Sequence, residues 1–218
     1  MKRVGTFPKK SIIANQYQVQ TYLGEHDCCE VYRVVDTDTR DLKLLKIIQN
    51  KLLPNINLGL LEDSLFKYSR LQHQNLVVQS ELKSFISDEI THYYFLSNYI
   101  SGESLEDLLG RKLKLSIFES SEILFPILDA IEYLHSQTII HKNIKPSYMY
   151  LDYGSQKINS FLYAFKVSEF IDESTKNINL AYQSNENILQ KYHIGNDIFS
   201  WMIIFYKCIT GVHPWNYD

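Results

Sequence analysis

His141-Lys142-Asn143-Ile144-Lys145-Pro146-Ser147-Tyr148 lies where the periodicity of the chain changes. Before it, Leu124, Ile127, Leu128, Ile131 and Leu134 recur at helical spacing and make one apolar face. Pro126 falls near the middle of that stripe, where its missing N–H predicts a kink. After it, SYMYLDYGSQKIN (147–159) is β-like around a DYGS turn. Further out on the N-terminal side, Ser104-Leu-Glu-Asp107 and Ser116-Ile-Phe-Glu119 carry the hydroxyl-then-acid spacing that starts a helix. On the C-terminal side a last helix is predicted over 196–210, with Gly211 as its stop.

The first half reads differently. YQVQTYLG (17–24), EVYRVVDT (30–37) and DLKLLKII (41–48) predict a three-strand meander, with DTDTR as a turn. NKLLPNINLG (50–59) is a connector. Leu61, Leu65, Tyr68 and Leu71 give a helix over 60–72 one apolar face. Residues 76–99 predict two further strands, ending in HYYFLSNYI (92–100). Residues 1–16 are polar and basic and predict a frayed terminus. The division expected is thus a flexible basic 1–16, a β-rich lobe with one helix over 17–100, and a mainly helical lobe over 101–218.

Composition narrows the classes. The chain has 218 residues, 45% hydrophobic and 22% charged, which is globular and excludes disorder, collagen and coiled coil. A net charge of −3 gives no global pull toward nucleic acid or an anionic membrane. The longest apolar run, Phe199 to Tyr206, is too short to span a bilayer, and no apolar segment follows the basic N-terminus. Cys28, Cys29 and Cys208 form no CxxC, so a reduced, cytoplasmic chain is expected. The seven histidines show no metal-ligand spacing.

The order of segments from Tyr17 to about residue 215 resembles a eukaryotic-like Ser/Thr protein kinase domain. The resemblance implies an α+β, bilobal fold that binds ATP and magnesium between its lobes. It is carried by many partial motifs in one order. Gly24-Glu-His26-Asp-Cys-Cys29-Glu-Val31 stands for G-x-G-x-x-G-x-V, with Gly24 and Val31 kept. Lys43-Leu44-Leu45-Lys46 stands for V-A-I-K, so Lys46 takes the place of the lysine that grips the α- and β-phosphates. Leu71-Gln-His73-Gln-Asn75 resembles L-x-H-P-N. Ser97-Asn98-Tyr99-Ile100 and Ser101-Gly102-Glu103-Ser104-Leu105 resemble the hinge, where Asn98 and Ile100 would meet the base. Asp197 matches the aspartate that opens the central helix of the large lobe and holds the catalytic-loop backbone.

Set against H-R-D-L-K-P-x-N, the opening stretch departs where the chemistry lies. Asn143 replaces the aspartate base, and a neutral amide cannot accept the substrate proton. Tyr148 replaces the magnesium-binding asparagine, while Lys145 is kept and suits an anion. Ser160-Phe161-Leu162 stands for D-F-G, so Ser160 replaces the metal-bridging carboxylate. His26 and Cys29 replace two loop glycines where backbone must approach phosphate. The lysine's glutamate partner falls on Ser64; Glu62, two residues back, is about 200° round the helix. Ser184-Asn185-Glu186 stands for A-P-E.

The resemblance places Tyr68, His141 and Phe161 in an apolar spine, and Leu44 and Tyr150 on either side of the adenine, where both are larger than usual and would fill the slot. The sequence ends soon after the central helix, which predicts an uncovered face on Trp201, Ile204, Phe205 and Cys208. The expectation is a pseudokinase, a scaffold or allosteric regulator that binds a protein (an active kinase, a substrate or a complex subunit). No metal and no cofactor is expected, nor nucleic acid or membrane. An active Ser/Thr kinase is the alternative, with Asp152 or Glu103 supplying a carboxylate. The third reading is a sensor that binds ATP without magnesium. Ser168, Ser174 and Thr175 are candidate phosphorylation sites in the activation segment.

Overall fold

A computed structural model of the chain describes residues 5–154, 157–171, 180–184 and 191–215. Two compact units result. The first takes residues up to Leu71, then Val78–Tyr99, then the stretch from Phe165. The second takes Gln72–Val77, Ile100–Ala164 and the described residues from 180 onward. A single cut at residue 100 is therefore corrected at two places: 72–77 crosses to the second unit and the stretch from Phe165 to the first.

The first unit is built on a six-stranded antiparallel sheet ordered β1-β2-β3-β4-β7-β6. Its strands are β1 (Ile12–Ile13), β2 (Tyr17–His26), β3 (Cys29–Asp36), β4 (Leu42–Ile48), β6 (Lys83–Ser87) and β7 (Ile90–Asn98). The meander is as expected, because alternating side chains serve two faces. One face carries Ile13, Val19, Tyr32, Val34, Leu45 and Ile47 in a common core. The other carries Cys29, Ile48 and Phe95 against α1 (Leu58–Tyr68), which buries Leu61 and Leu65. Asn57 caps α1 by accepting the Leu60 N–H at 3.1 Å.

The N-terminal segment differs from the frayed end expected. Ile13 is fully buried, β1 pairs with β2, and the Phe7 ring packs on Tyr32, Phe85 and His92. The lysines that suggested solvent, Lys9 and Lys10, do lie exposed, but the apolar residues beside them pack.

The second unit has a four-stranded sheet ordered β5-β10-β9-β8. These are β5 (Leu76–Val77), β8 (Gly102–Ser104), β9 (Met149–Tyr153) and β10 (Ile158–Tyr163). Leu76-Val77 does not join the first sheet; it lies parallel to Leu162-Tyr163. Against this sheet pack α2 (Leu105–Lys112) and α3 (Ile117–Ser136), and α4 (Ile194–Thr210) packs on α3. Both predicted capping boxes form, Ser104 with Asp107 and Ser116 with Glu119. Gly211 ends α4 at φ +81°, a conformation that glycine adopts without strain. Trp201, Ile204 and Cys208 are buried rather than exposed: the Trp201 indole donates to the Leu124 carbonyl at 2.9 Å, so α3 covers that face of α4. Phe205 is partly exposed, and Met202 and Tyr206 point outward. No helix among the described residues is long and apolar enough to cross a membrane.

Candidate functional site

In the first unit a cross-strand ladder gathers the kept residues. Gly24 pairs with Val31, Val31 with Lys46, and Lys46 with Phe95. Gly24 has φ +116° beside a register shift in β2, which is why glycine survives there. Lys46 is 5% exposed, with its ammonium 5.8 Å from the centre of the Phe95 ring. Of the α1 residues near the partner position, Glu62 and Asp63 are exposed and Ser64 is partly buried. Leu44 is buried on the same sheet as Lys46. Asn98 accepts from Lys43 Nζ at 2.9 Å, and the Tyr99 N–H reaches the Leu42 carbonyl.

The hairpin that replaces the phosphate loop is tight. Asp27 and Cys28 both have positive φ, +50° and +66°, as a two-residue turn between twisted strands requires. The Asp27 carboxylate accepts the Val167 N–H at 2.7 Å and the Ser168 N–H at 3.1 Å. Burial, with the Asp27 charge second, pushes the Cys28 thiol up to about 11, which makes it a poor nucleophile.

In the second unit the opening stretch is held by one buried carboxylate. Asp197 accepts the N–H of His141 and of Lys142, each at 2.8 Å, and bonds His135 Nε2 at 2.8 Å. Burial alone would raise its pKa. The His135 hydrogen bond, the nearby His141 and the two amides outweigh that and hold the carboxyl below its ordinary value. Lys142 is thereby kept at φ +65°. His141 is wholly buried. Its Nδ1 accepts the Asn143 N–H at 3.3 Å and its Nε2 faces the Tyr163 carbonyl at 2.9 Å, which calls for the proton on Nε2.

Tyr148 is 4% exposed and packs edge-on against His141 at 6.0 Å. The Lys145 ammonium lies 4.7 Å from the centre of its ring. Lys145 thus covers the residue that the resemblance sets at the place of the magnesium-binding asparagine. Tyr150, half-buried, packs edge-on against Tyr163 at 5.1 Å.

The D-F-G register needs correction. Ser160-Phe161-Leu162 lies inside β10, paired with Leu151, Tyr150 and Met149. Ser160 is fully buried and its hydroxyl has no hydrogen-bond partner among the described residues. The strand ends at Tyr163, and Ala164-Phe165-Lys166 follow. It is Phe165 that packs edge-on against Tyr68, at 5.2 Å, in place of the expected Phe161. Two phenylalanines four residues apart allowed either register; pairing with β9 decides it. In both registers a neutral side chain, Ser160 or Ala164, stands where the carboxylate belongs. This donor set does not fit magnesium: a buried phenol under an ammonium and, at the corrected D-F-G place, an alanine that offers no donor at all. Asn185, Glu186, Ser174 and Thr175 lie outside the described residues.

The sequence pattern of the protein kinase domain matches residues 17–218, so the chain belongs to that family. A probable serine/threonine-protein kinase PknB of Lactococcus lactis is 26% identical over 95% of this chain and 33% of its own length. Human serine/threonine-protein kinase STK11 is 26% identical over 96% and 50% respectively. Among solved structures, the PknI kinase domain of Mycobacterium tuberculosis superposes with a TM-score of 0.74 at 16% identity, covering 97% of this chain and 81% of that one. Rad53 in complex with AMP-PNP gives 0.72 at 23%, covering 93% and 50%. These two likenesses concern the fold. The chain spans a third to a half of the length of the curated relatives it matches.

Proposed function

We propose that this protein kinase domain is catalytically silent and works by binding another protein: an active kinase, its substrate or a complex subunit. The observation that carries the reading is Tyr148, buried against His141 under the Lys145 ammonium at the position the family gives to a metal ligand. Asn143 supports it, since no proton acceptor remains at the base position. Positioning and charge supply most of the rate in phosphoryl transfer, so losing one such element costs about two to three orders of magnitude. Losing base and metal ligands together leaves almost nothing, even without additivity.

The test is thermal unfolding with ATP, with and without magnesium, beside a phosphotransfer assay. A ligand at 100 times its Kd adds about 2.7 kcal/mol, or about 5–10 °C in a chain of this size. No shift and no transfer is the expected result. The second reading is a divergent Ser/Thr kinase. It is favoured by the kept Lys46 and by the relatives named as such kinases. Magnesium-dependent binding with transfer would establish it in place of ours. Binding without magnesium and without transfer would indicate a nucleotide sensor.

A further inference from the structure

We infer that Asp27 is a latch: from the tip of the β2–β3 hairpin, its carboxylate holds the segment Phe165–Ile171 on the first unit and ties the hairpin to it. The two carboxylate oxygens take one backbone N–H each, from Val167 and Ser168. These amides begin a short 3₁₀ turn, Val167–Phe170, whose own carbonyls cannot reach them, so an outside acceptor is needed. An anionic acceptor makes the stronger bond. Aspartate also tolerates the positive φ of the tight hairpin, so one residue meets both demands.

The rest of the segment is fastened elsewhere. Phe165 packs against Tyr68, Phe95 and Phe170, at 5.2, 5.7 and 5.7 Å between ring centres. Val167 joins Cys29, Ile48, Leu61 and Leu65 in the core. Buried Lys166 pairs with Glu169. The Asn57 N–H donates to the Phe170 carbonyl at 3.1 Å, and Ile171 bridges to Ile56. Asp27 is the hydrogen-bonding hold from the hairpin side. With it in place the hairpin and the segment move as one piece, and any partner that needs the segment elsewhere must first break those two bonds. The latch does not depend on the domain being inactive.

The test is amide hydrogen exchange by NMR on the full chain. In Asp27→Ala, exchange at Val167 and Ser168 is expected to rise at least tenfold while Ile203 and Ile204 in α4 stay as in wild type. If that variant loses protection throughout, Asp27→Asn decides. It keeps the shape and removes the charge, so a selective rise of several-fold at the same two amides is expected. Loss of the Asp27 charge should also speed alkylation of Cys28, whose thiol it helps to suppress. Wild-type exchange at Val167 and Ser168 in the deciding variant would overturn the latch.

Discussion

Asp197 bears three hydrogen bonds on one carboxylate, and two of the donors are backbone amides at the head of the family's catalytic loop. Asp197→Ala leaves those amides, one buried and one part-buried, without their acceptor, at a cost of about 3 kcal/mol. That lowers Tm by about 6–12 °C in a chain of this length. The pH dependence follows from the sign of its shift. The folded pKa is depressed, so its contribution is full above the unfolded value of about 3.9 and is lost as pH falls through the folded value. Unfolding titrations below pH 4 should show this loss in wild type and a smaller one in Asp197→Asn. Gln79 presents the opposite case. Its side chain is 2% exposed and neither polar atom has a hydrogen-bond partner among the described residues. Gln79→Met removes an unpaid desolvation at similar volume, so urea midpoints should rise by the equivalent of about 1 kcal/mol with an unchanged slope.

Elements whose limits are set by neighbouring residues were legible in the sequence. The capping boxes at Ser104 and Ser116, the stop at Gly211 and the apolar face of α1 rest on contacts within a few residues. Elements set by distant pairing were not. Leu76-Val77 is two residues long, and nothing local tells which sheet it joins. The position of Phe165 needed the β9–β10 register. Asp27 carried no signal beyond that of a turn residue, because its partners lie about 140 residues away. The same contrast sets the size of mutational effects. Ser116→Ala removes one cap and costs about 1 kcal/mol. Gly102→Ala would put a Cβ 1.7 Å from the Leu151 carbonyl oxygen, so β8 must leave β9. That should cost about 3 kcal/mol or more and show as the larger fall in thermal midpoint.

Across the whole molecule, the site was legible mainly as replacements. Asn143 and Tyr148 could be assigned through the resemblance to the family's catalytic-loop motif, whereas the covering of Tyr148 by Lys145 needed coordinates. The division into units escaped a linear reading, since 72–77 and the stretch from Phe165 each exchange sides. The N-terminal segment escaped it because charge masked Phe7 and Ile13. That segment lies before Tyr17, where the family match begins. Anyone expressing the domain from that boundary would strip β2 of its edge partner and bare the aromatic face of Tyr32 and Phe85. Such a product should partition into the insoluble fraction more than the 218-residue chain expressed beside it, and an equal partition would show that the edge strand is dispensable. For this chain, the family match begins at Tyr17 while the packing of the first unit already takes in Phe7 and Ile13.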